Sequence, residues 1–203
     1  MNNKYPFWYK IISLLPDGPW IWRLKASQLE SKGDYKDGQQ EGPWEMYYPG
    51  GQLEFKGNYK NGRRHGPWEM YYESGKLKVK GNSKNGRPDG QFERYYENGR
   101  VSEVYSCIDG EQFGSFKNFH ENGRLKEEGY YDCGYRDGPL KAYYENGRLR
   151  KTGSFKGGDM DGPWEFYYEN GQLGKRENYK DGMLDGLWEY FDEKGRLKEQ
   201  RNY

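Results

Sequence analysis

A glycine recurs every 24 residues along almost the whole of this chain. The series runs without interruption through Gly18, Gly42, Gly66, Gly90, Gly114, Gly138, Gly162 and Gly186. Two residues after each glycine stands a large apolar residue: Trp20, Trp44, Trp68, Phe92, Phe116, Leu140, Trp164 and Trp188. A fixed period of this kind means that one supersecondary unit is repeated and stacked along the chain.

Two turn signals divide each unit. One is Asn-Gly within Glu-Asn-Gly-Arg, as at Asn98-Gly99, and the other is Asn-Gly or Asp-Gly, as at Asn61-Gly62. We predict two-residue type I′ turns at both, because asparagine, aspartate and glycine tolerate the positive φ that this turn requires. The intervening segments have nine and eleven residues and are rich in aromatics. Each unit is therefore expected to be a β-hairpin.

The turns fix a register that can be tested against side-chain sorting. The predicted pairs are Trp68 with Gly81, Met70 with Val79 and Tyr72 with Leu77 on one face, and Glu69 with Lys80 on the other. One face is then apolar and the other carries opposite charges. A bulge is expected at Gly-Pro steps such as Gly66-Pro67, since proline interrupts a ladder.

These patterns predict an all-β fold, an elongated, twisted, single-layer antiparallel meander of about eight hairpin repeats. Units would start near residues 18, 42, 66, 90, 114, 138, 162 and 186, so that 18–203 form the array. Residues 1–17 would be a worn half-repeat that covers the first edge strand. Hydrophobic residues make up only 33% of the chain but aromatics 18%. A thin sheet in which tryptophan and tyrosine supply the buried area fits this composition.

The pattern G-P-W-x-x-Y-Y-x-N-G-x-L-x-x-x-G-x-Y-K-x-G resembles the variant MORN repeat. It stands almost intact from Gly42 to Gly62 and again from Gly66, and the resemblance covers about residues 18 to 203. It extends to bacterial antitoxins of toxin–antitoxin systems that are built from such repeats. The resemblance implies a curved single-layer sheet used for binding partners. Relatives with the commoner MORN repeat are associated with membrane lipids and protein scaffolding.

The charge balance argues against several classes of function. Lysine and arginine number 33 against 32 aspartate and glutamate, which is not the basic excess expected of a protein that binds duplex nucleic acid or anionic membranes. Cys107 and Cys133 make no disulfide framework, so a cytoplasmic protein is expected. His65 and His120 occupy different repeat positions, and no catalytic triad recurs. We expect no enzyme activity, no cofactor and no metal site.

A series of aromatic residues is the first candidate for binding. Tyr47, Tyr71, Tyr95, Phe119, Tyr143, Tyr167 and Phe191 recur five residues after each glycine. The register places them among glutamates and lysines, where the core does not need an aromatic. The series is either a ladder that stiffens the sheet or a binding surface, because aromatics ringed by charge suit protein interfaces.

The repeat is least regular in the central units. Tyr105 replaces a strand glycine, His120 replaces the second tyrosine of its unit, and Phe113 stands where neighbouring units have an acidic residue. Either the repeats have drifted or these units carry partner-specific contacts. The candidate partner-binding residues are Tyr71, Tyr95, Phe113, Phe119, His120 and Tyr143.

The sequence therefore favours a non-enzymatic, protein-binding repeat protein. By resemblance it would be antitoxin- or immunity-like, neutralising or scaffolding a protein partner, with a toxin among the candidates. The alternative is a membrane- or lipid-associated scaffold of the MORN type, against which the near-neutral charge counts. Self-association through a sheet edge or the apolar face is a further expectation.

Overall fold

The computed structural model describes residues 18–25 and 28–203. Every regular element in these residues is a β-strand, paired antiparallel with its neighbours. No helix of the described part of the chain could cross a membrane. The half-repeat expected at residues 1–17 lies outside the described residues.

The chain divides into two compact units, of which unit 1 runs to Gly90 and unit 2 spans Gln91–Tyr203. The strands of unit 1 are β1 (Gly18–Lys25), β2 (Gln28–Lys36), β3 (Gln39–Tyr47), β4 (Leu53–Lys60), β5 (Arg63–Tyr71), β6 (Leu77–Lys84) and β7 (Arg87–Pro88). Each pairs with the next along the chain, so unit 1 is an antiparallel meander.

Unit 2 is also an antiparallel meander, in which short strands flank several turns. Its strands are β8 (Gly90–Tyr95, which begins at the boundary), β9 (Val101–Ile108), β10 (Glu111–Gln112), β11 (Gly114–Phe119), β12 (Leu125–Asp132), β13 (Tyr135–Arg136), β14 (Gly138–Tyr143), β15 (Leu149–Lys156), β16 (Asp159–Tyr167), β17 (Leu173–Lys180), β18 (Met183–Leu184), β19 (Leu187–Phe191) and β20 (Leu197–Asn202). The predicted all-β meander of hairpin repeats is confirmed.

One of the two turn predictions is confirmed. The first residue of each Asp-Gly or Asn-Gly turn, such as Asn61 with φ 49°, has positive φ, and the following glycine does too. Cys133 takes the same conformation, with φ 47°, in the turn where it replaces aspartate or asparagine. These are the type I′ turns expected between repeats.

The other turn prediction was wrong. At Asn98-Gly99 only the glycine has positive φ, at 86°. The Gly99 N–H donates to the Tyr96 carbonyl at 2.9 Å and the Tyr96 N–H to the Arg100 carbonyl at 2.8 Å. This is a three-residue loop, a type I turn followed by a left-handed glycine. Asn98 keeps a negative φ because its side chain caps the loop instead, accepting the Arg100 N–H at 2.9 Å.

The longer loop shifts the strand pairing by one residue, relative to the predicted register, at the end of each hairpin that carries the loop. Trp68 pairs with Gly81, Glu69 with Lys80 and Met70 with Val79 as predicted, but Leu77 pairs with Tyr71 and not with Tyr72. The expected bulge at Gly66-Pro67 is present, because Gly57 pairs with Trp68 whereas Tyr59 already pairs with Arg64.

A tryptophan packed over a strand glycine forms the core of the regular repeats. The Trp164 ring is fully buried. It covers Gly153 so closely that a Cβ on the glycine would lie 2.2 Å from its Cδ2 atom. Where Tyr105 replaces the glycine, the smaller Phe92 replaces tryptophan, and the two rings stack with centroids 5.2 Å apart. The smaller ring of Phe92 makes room for part of the Tyr105 side chain.

The face that carries the tryptophans differs in character between the two units. In unit 1 the row of side chains next to the tryptophans is apolar, with the ladder Met46, Phe55, Met70 and Val79. In unit 2 the corresponding ladder is Glu103, Asn118, Glu127, Ala142, Lys151, Phe166 and Lys175. The apolar pairing predicted for Met70 and Val79 is thus confirmed in unit 1, whereas charged and polar residues occupy much of this row in unit 2.

Candidate partner-binding surface

The aromatic series lies on the charged face, as the register predicted. In unit 1 the Tyr71 hydroxyl donates to the Glu69 carboxylate, and the Lys56 ammonium lies 5.6 Å from the centre of the Tyr71 ring. Lys56 also forms an ion pair with Glu69 at 2.8 Å. The hydrogen bonds from Lys56 and then Tyr71 lower the pKa of the Glu69 carboxyl.

In unit 2 the rings of the series are again half-buried, and its tyrosines again bind carboxylates. The Tyr167 hydroxyl donates to Glu165 at 2.6 Å, whereas the Tyr143 hydroxyl reaches Glu128 on a neighbouring strand at 3.1 Å. Burial, followed by the hydrogen bond to Glu165, raises the pKa of Tyr167 to about 12. The hydroxyls of these two tyrosines are thus occupied as donors to carboxylates, while their rings are half-buried on the charged face.

In several repeats the second tyrosine binds the next repeat. The Tyr96 hydroxyl donates to the Phe119 carbonyl at 2.6 Å, and the Tyr144 hydroxyl donates to the Tyr167 carbonyl at 2.6 Å. His120 replaces this tyrosine in its unit and holds the same contact, with Nε2 3.0 Å from the Tyr143 carbonyl oxygen. Because a carbonyl only accepts, Nε2 carries the proton. His120 thus joins Phe119 to Tyr143 and sets the spacing between these two members of the series.

The loops beside these tyrosines are bound to one another in the same way. Asn98 Nδ2 and Arg100 Nη1 both donate to the Glu121 carbonyl, at 3.1 and 3.0 Å. Asn122 and Arg124 repeat the pattern onto Glu145. The Glu-Asn-Gly-Arg signature is therefore explained by contacts between repeats, which orient the neighbouring aromatic series.

Phe113 lies apart from the aromatic series. It precedes Gly114 at the junction between β10 and β11, and its N–H donates to the Ser106 carbonyl at 2.9 Å. Its side chain is 46% exposed. The structure thus brings Phe119, His120 and Tyr143 together in unit 2, while Phe113 belongs to a different part of that unit and Tyr71 to unit 1.

The charged row of unit 2 is a feature that the sequence reasoning missed. Arg136 forms two bonds to Glu127, at 3.1 and 3.2 Å, and its guanidinium lies 5.5 Å from the Phe116 ring centre and 5.6 Å from that of Phe155. The signal was available, because the repeat position of Phe55 and Val79 carries Glu103, Glu127, Lys151 and Lys175 in later units.

Lys151 is a half-buried cation of this row, as is Lys175. The Lys151 ammonium lies 5.6 Å from the centre of the Trp164 ring. Within residues 18–25 and 28–203 it forms no ion pair within 4.0 Å. Burial lowers the pKa of Lys151, and Arg150 and Arg136 add to this effect while Glu127 opposes it.

Glu177 is a buried carboxylate at a repeat position that normally holds glycine. It is 4% exposed. It pairs with Lys175 at 2.8 Å and accepts hydrogen bonds from the Tyr179 hydroxyl at 2.8 Å and the Trp188 indole N–H at 2.9 Å. With three donors around it, Glu177 is a structural group that holds these side chains in place. No set of three His, Cys, Asp or Glu side chains in the described ranges is arranged to hold a metal ion.

Comparison with known proteins identifies the repeat family of this chain. No curated protein matches the sequence. The crystal structures of TcdB2-TccC3 and TcdB2-TccC3-Cdc42 are each 13% identical to it, with TM-scores of 0.25 and 0.24. The alignments cover 91% and 92% of this chain but only 13% and 11% of those much longer chains, and similarity this low supports no argument about function.

The family model for the MORN repeat variant matches seven segments, which together cover well over half of the chain. They are residues 40–61, 64–85, 88–105, 114–132, 136–156, 160–181 and 184–203. Their spacing follows the glycine period. The unit that starts near residue 18 precedes the first match, although β1 pairs with β2 as a hairpin of the same kind, with Trp20 opposite Gly33. The chain belongs to the MORN repeat variant family.

Proposed function

We propose that this chain is a non-enzymatic repeat protein that binds a protein partner stoichiometrically, in an antitoxin- or immunity-like role in the cytoplasm. Membership of the MORN repeat variant family suggests a binding or scaffolding role in general. The observation that carries the more specific proposal is the aromatic series on the charged face. A core residue would be turned toward the other face, so these rings are available to a partner.

The geometry of the series supports its use as an interface. The rings of Tyr95, Phe119 and Tyr143 recur along unit 2 at the spacing of the repeat, and hydrogen bonds between repeats hold that spacing. Tyrosine rings that are already fixed lose little conformational freedom on binding. Ion pairs beside the rings, such as Arg176 with Glu165 at 3.3 Å, would form the polar rim of such an interface.

Affinity capture from a lysate of the native host tests the proposal. The wild-type chain and a Tyr95→Ala/Phe119→Ala variant are used as bait, and the retained proteins are identified and quantified by mass spectrometry. We expect one stoichiometric protein, its recovery reduced about tenfold or more by the variant, because truncating two interface anchors costs more than about 1 kcal/mol each. The melting temperature should stay close to that of the wild type.

The matched control is Tyr47→Ala/Phe191→Ala, which truncates the aromatic side chains at the same repeat position in two outer repeats. It should capture the partner as well as the wild type does. A large fall in the melting temperature of Tyr95→Ala/Phe119→Ala would make these residues part of the core and contradict the proposal. Recovery of membrane material alone would instead favour the lipid-associated scaffold.

A further inference from the structure

Four large apolar side chains are exposed close to two successive type I′ turns of unit 2. Ile108, Phe113, Tyr130 and Tyr135 are 55%, 46%, 51% and 62% exposed, and together they are called the apolar patch. The other described repeats carry mostly polar residues at the positions of these four side chains. The repeat position of Ile108 holds Lys36, Lys60, Lys84, Lys156 and Lys180, and that of Phe113 holds Glu41, His65, Asp89, Asp137, Asp161 and Asp185. The repeat position of Tyr130 holds Asp34, Asn58, Asn82, Ser106, Ser154 and Asn178. The repeat position of Tyr135 holds Gln39, Arg63, Arg87, Glu111, Asp159 and Met183.

The strand register makes these four residues neighbours on the charged face. Cys107 is buried in the core, so the adjacent Ile108 points to the other face. Phe113 follows Gln112, which pairs with Cys107, and it therefore lies on the same face as Ile108. Tyr130 pairs with Ser115, which is two residues beyond Phe113. Neighbouring strands place such residues about 5–8 Å apart.

Acidic groups surround the apolar patch. Ile108 pairs with Glu111 and Tyr135 with Asp132, and residues paired across an antiparallel ladder share a face. Asp109 and Asp137 lie in the adjoining turn and strand junction. The basic residues near the patch by register are Lys117 on β11 and Lys156 on β15, which adjoins Asp137. None of the four carboxylates forms an ion pair in the part of the chain that the structure describes.

The corresponding turns of unit 1 have the opposite character. There the same paired positions hold Lys60 with Arg63 and Lys84 with Arg87. The paired positions beside the apolar patch are thus acidic where these two turns of unit 1 are basic. An acidic rim repels an anionic lipid surface and attracts a basic protein.

Phe113 also forgoes a stabilising contact. In two other repeats the residue at the position of Phe113 caps the following turn. Glu41 accepts the Asn61 N–H at 2.9 Å, and Asp137 accepts the Gly157 N–H at 3.0 Å. The corresponding N–H belongs to Cys133, and a phenylalanine offers it no acceptor. An exposed aromatic ring that replaces a turn cap weakens the fold locally, which is typical of a residue kept for binding.

We propose that the apolar patch anchors a protein partner that presents an apolar side chain flanked by lysine or arginine. This inference rests on the proposed protein-binding function and names both the surface and the chemistry of the partner. The partner's apolar group packs against Phe113 and Tyr130, while its cations pair with Glu111 and Asp132. Desolvated pairs of that kind at the edge of an apolar anchor give specificity and a fast association rate.

A random-peptide display library provides the probe. The full chain is the target, and an Ile108→Lys/Phe113→Asp/Tyr130→Asn variant is the counter-target. Each substitution introduces a residue that the same repeat position carries in other units, so the variant should fold, and the melting temperature of Phe113→Asp alone should equal or exceed that of the wild type. Met183→Arg, at the repeat position of Tyr135 but outside the apolar patch, is the matched control.

We expect the enriched peptides to combine an aromatic or aliphatic residue with flanking lysine or arginine. Their affinity should fall about tenfold or more with the triple variant, the effect of removing interface anchors, and remain unchanged with Met183→Arg. Acidic enriched peptides, or affinity unaffected by the triple variant, would overturn the inference. Retention of phosphatidylcholine vesicles containing phosphatidylserine by the wild type, abolished by the triple variant, would overturn it in favour of a lipid surface.

The inference and the proposed function fail separately. A captured protein whose binding is lost in Tyr95→Ala/Phe119→Ala but unchanged in the triple variant would leave the proposed function standing and remove the role of the apolar patch. A patch that selects basic peptides in a chain that captures no stoichiometric protein would contradict the proposed function alone.

Discussion

The packing of Trp164 over Gly153 leads to a quantitative prediction for Gly153→Ala. A Cβ at this position would lie 2.2 Å from Cδ2 and 2.4 Å from Cε2 of the indole. The ring has little room to move, because it is fully buried and its N–H donates to the Ser154 carbonyl at 3.1 Å. The Phe155 ring packs against it edge-on, with centroids 5.0 Å apart.

Three contributions set the expected change in the free energy of unfolding. Overpacking of a core costs about 1–3 kcal/mol. Displacing the ring weakens the indole hydrogen bond, which contributes about 1 kcal/mol. Alanine reduces the entropy of the unfolded chain relative to glycine and returns about 0.4–1 kcal/mol. We therefore expect Gly153→Ala to lower the free energy of unfolding by about 2 kcal/mol.

Urea unfolding, followed by tryptophan fluorescence and by circular dichroism, measures this change. Gly129→Ala is the graded control, since its Cβ would lie 2.9 Å from Phe116 and the clash is milder. Adding Trp164→Phe should recover part of the loss in Gly153→Ala, because the stacked Phe92 and Tyr105 show that a smaller ring accommodates a side chain at the glycine position. Full stability of Gly153→Ala, or no recovery in the double variant, would refute the packing argument.

Two further predictions concern carboxylates and their donors. The pKa of Tyr167 is raised to about 12 from an ordinary value of about 10. The contribution of Tyr167 to stability is therefore complete below about pH 10 and is lost as the pH rises through about 12. The difference in phenolate absorbance between the wild type and Tyr167→Phe measures the midpoint of the Tyr167 titration, and a midpoint near pH 10 would contradict the reasoning. Glu177→Gln should lower the free energy of unfolding by about 1–3 kcal/mol, because it weakens three charge-assisted contacts to a buried carboxylate, including that of Trp188. Urea unfolding measures this change. Stability equal to that of the wild type would show that a neutral amide holds these side chains as well as the carboxylate does.

Local chemistry made much of the fold predictable. Glycine at every twenty-fourth position and the Asn-Gly and Asp-Gly pairs define the repeat and its type I′ turns, since few other residues accept those backbone angles. The pairing of Trp68 with Gly81 also followed, because a large ring needs an empty position opposite it. These features depend on residues close in sequence or on one hairpin.

The loop at Asn98-Gly99 shows where local reasoning failed. The same dipeptide suits a two-residue turn and the last two residues of a three-residue loop. The same three-residue loop forms at Ser74-Gly75 and at Lys194-Gly195, each closed by a glycine N–H that donates to a carbonyl three residues earlier, at 2.8 Å. The glycine with positive φ, and not the residue before it, is therefore what these loops share, and in the hairpin of Gly75 the loop places Tyr71 opposite Leu77.

For the candidate site, the aromatic series was predictable because a period of 24 residues places its members on one face. The apolar patch was not, apart from Phe113, because its residues come from three strands and a strand junction and look like unrelated exceptions in the sequence.

The sequence by itself determines the repeat, its hairpins and the pairing of tryptophan with glycine, because backbone angles and side-chain volume act over a few residues. Only the tertiary structure decides that Glu127 and Arg136 pair on a face expected to be apolar, or that Ile108 and Phe113 adjoin Tyr130. Those outcomes depend on which strands lie side by side, and therefore on how bulges and loops set the register between repeats.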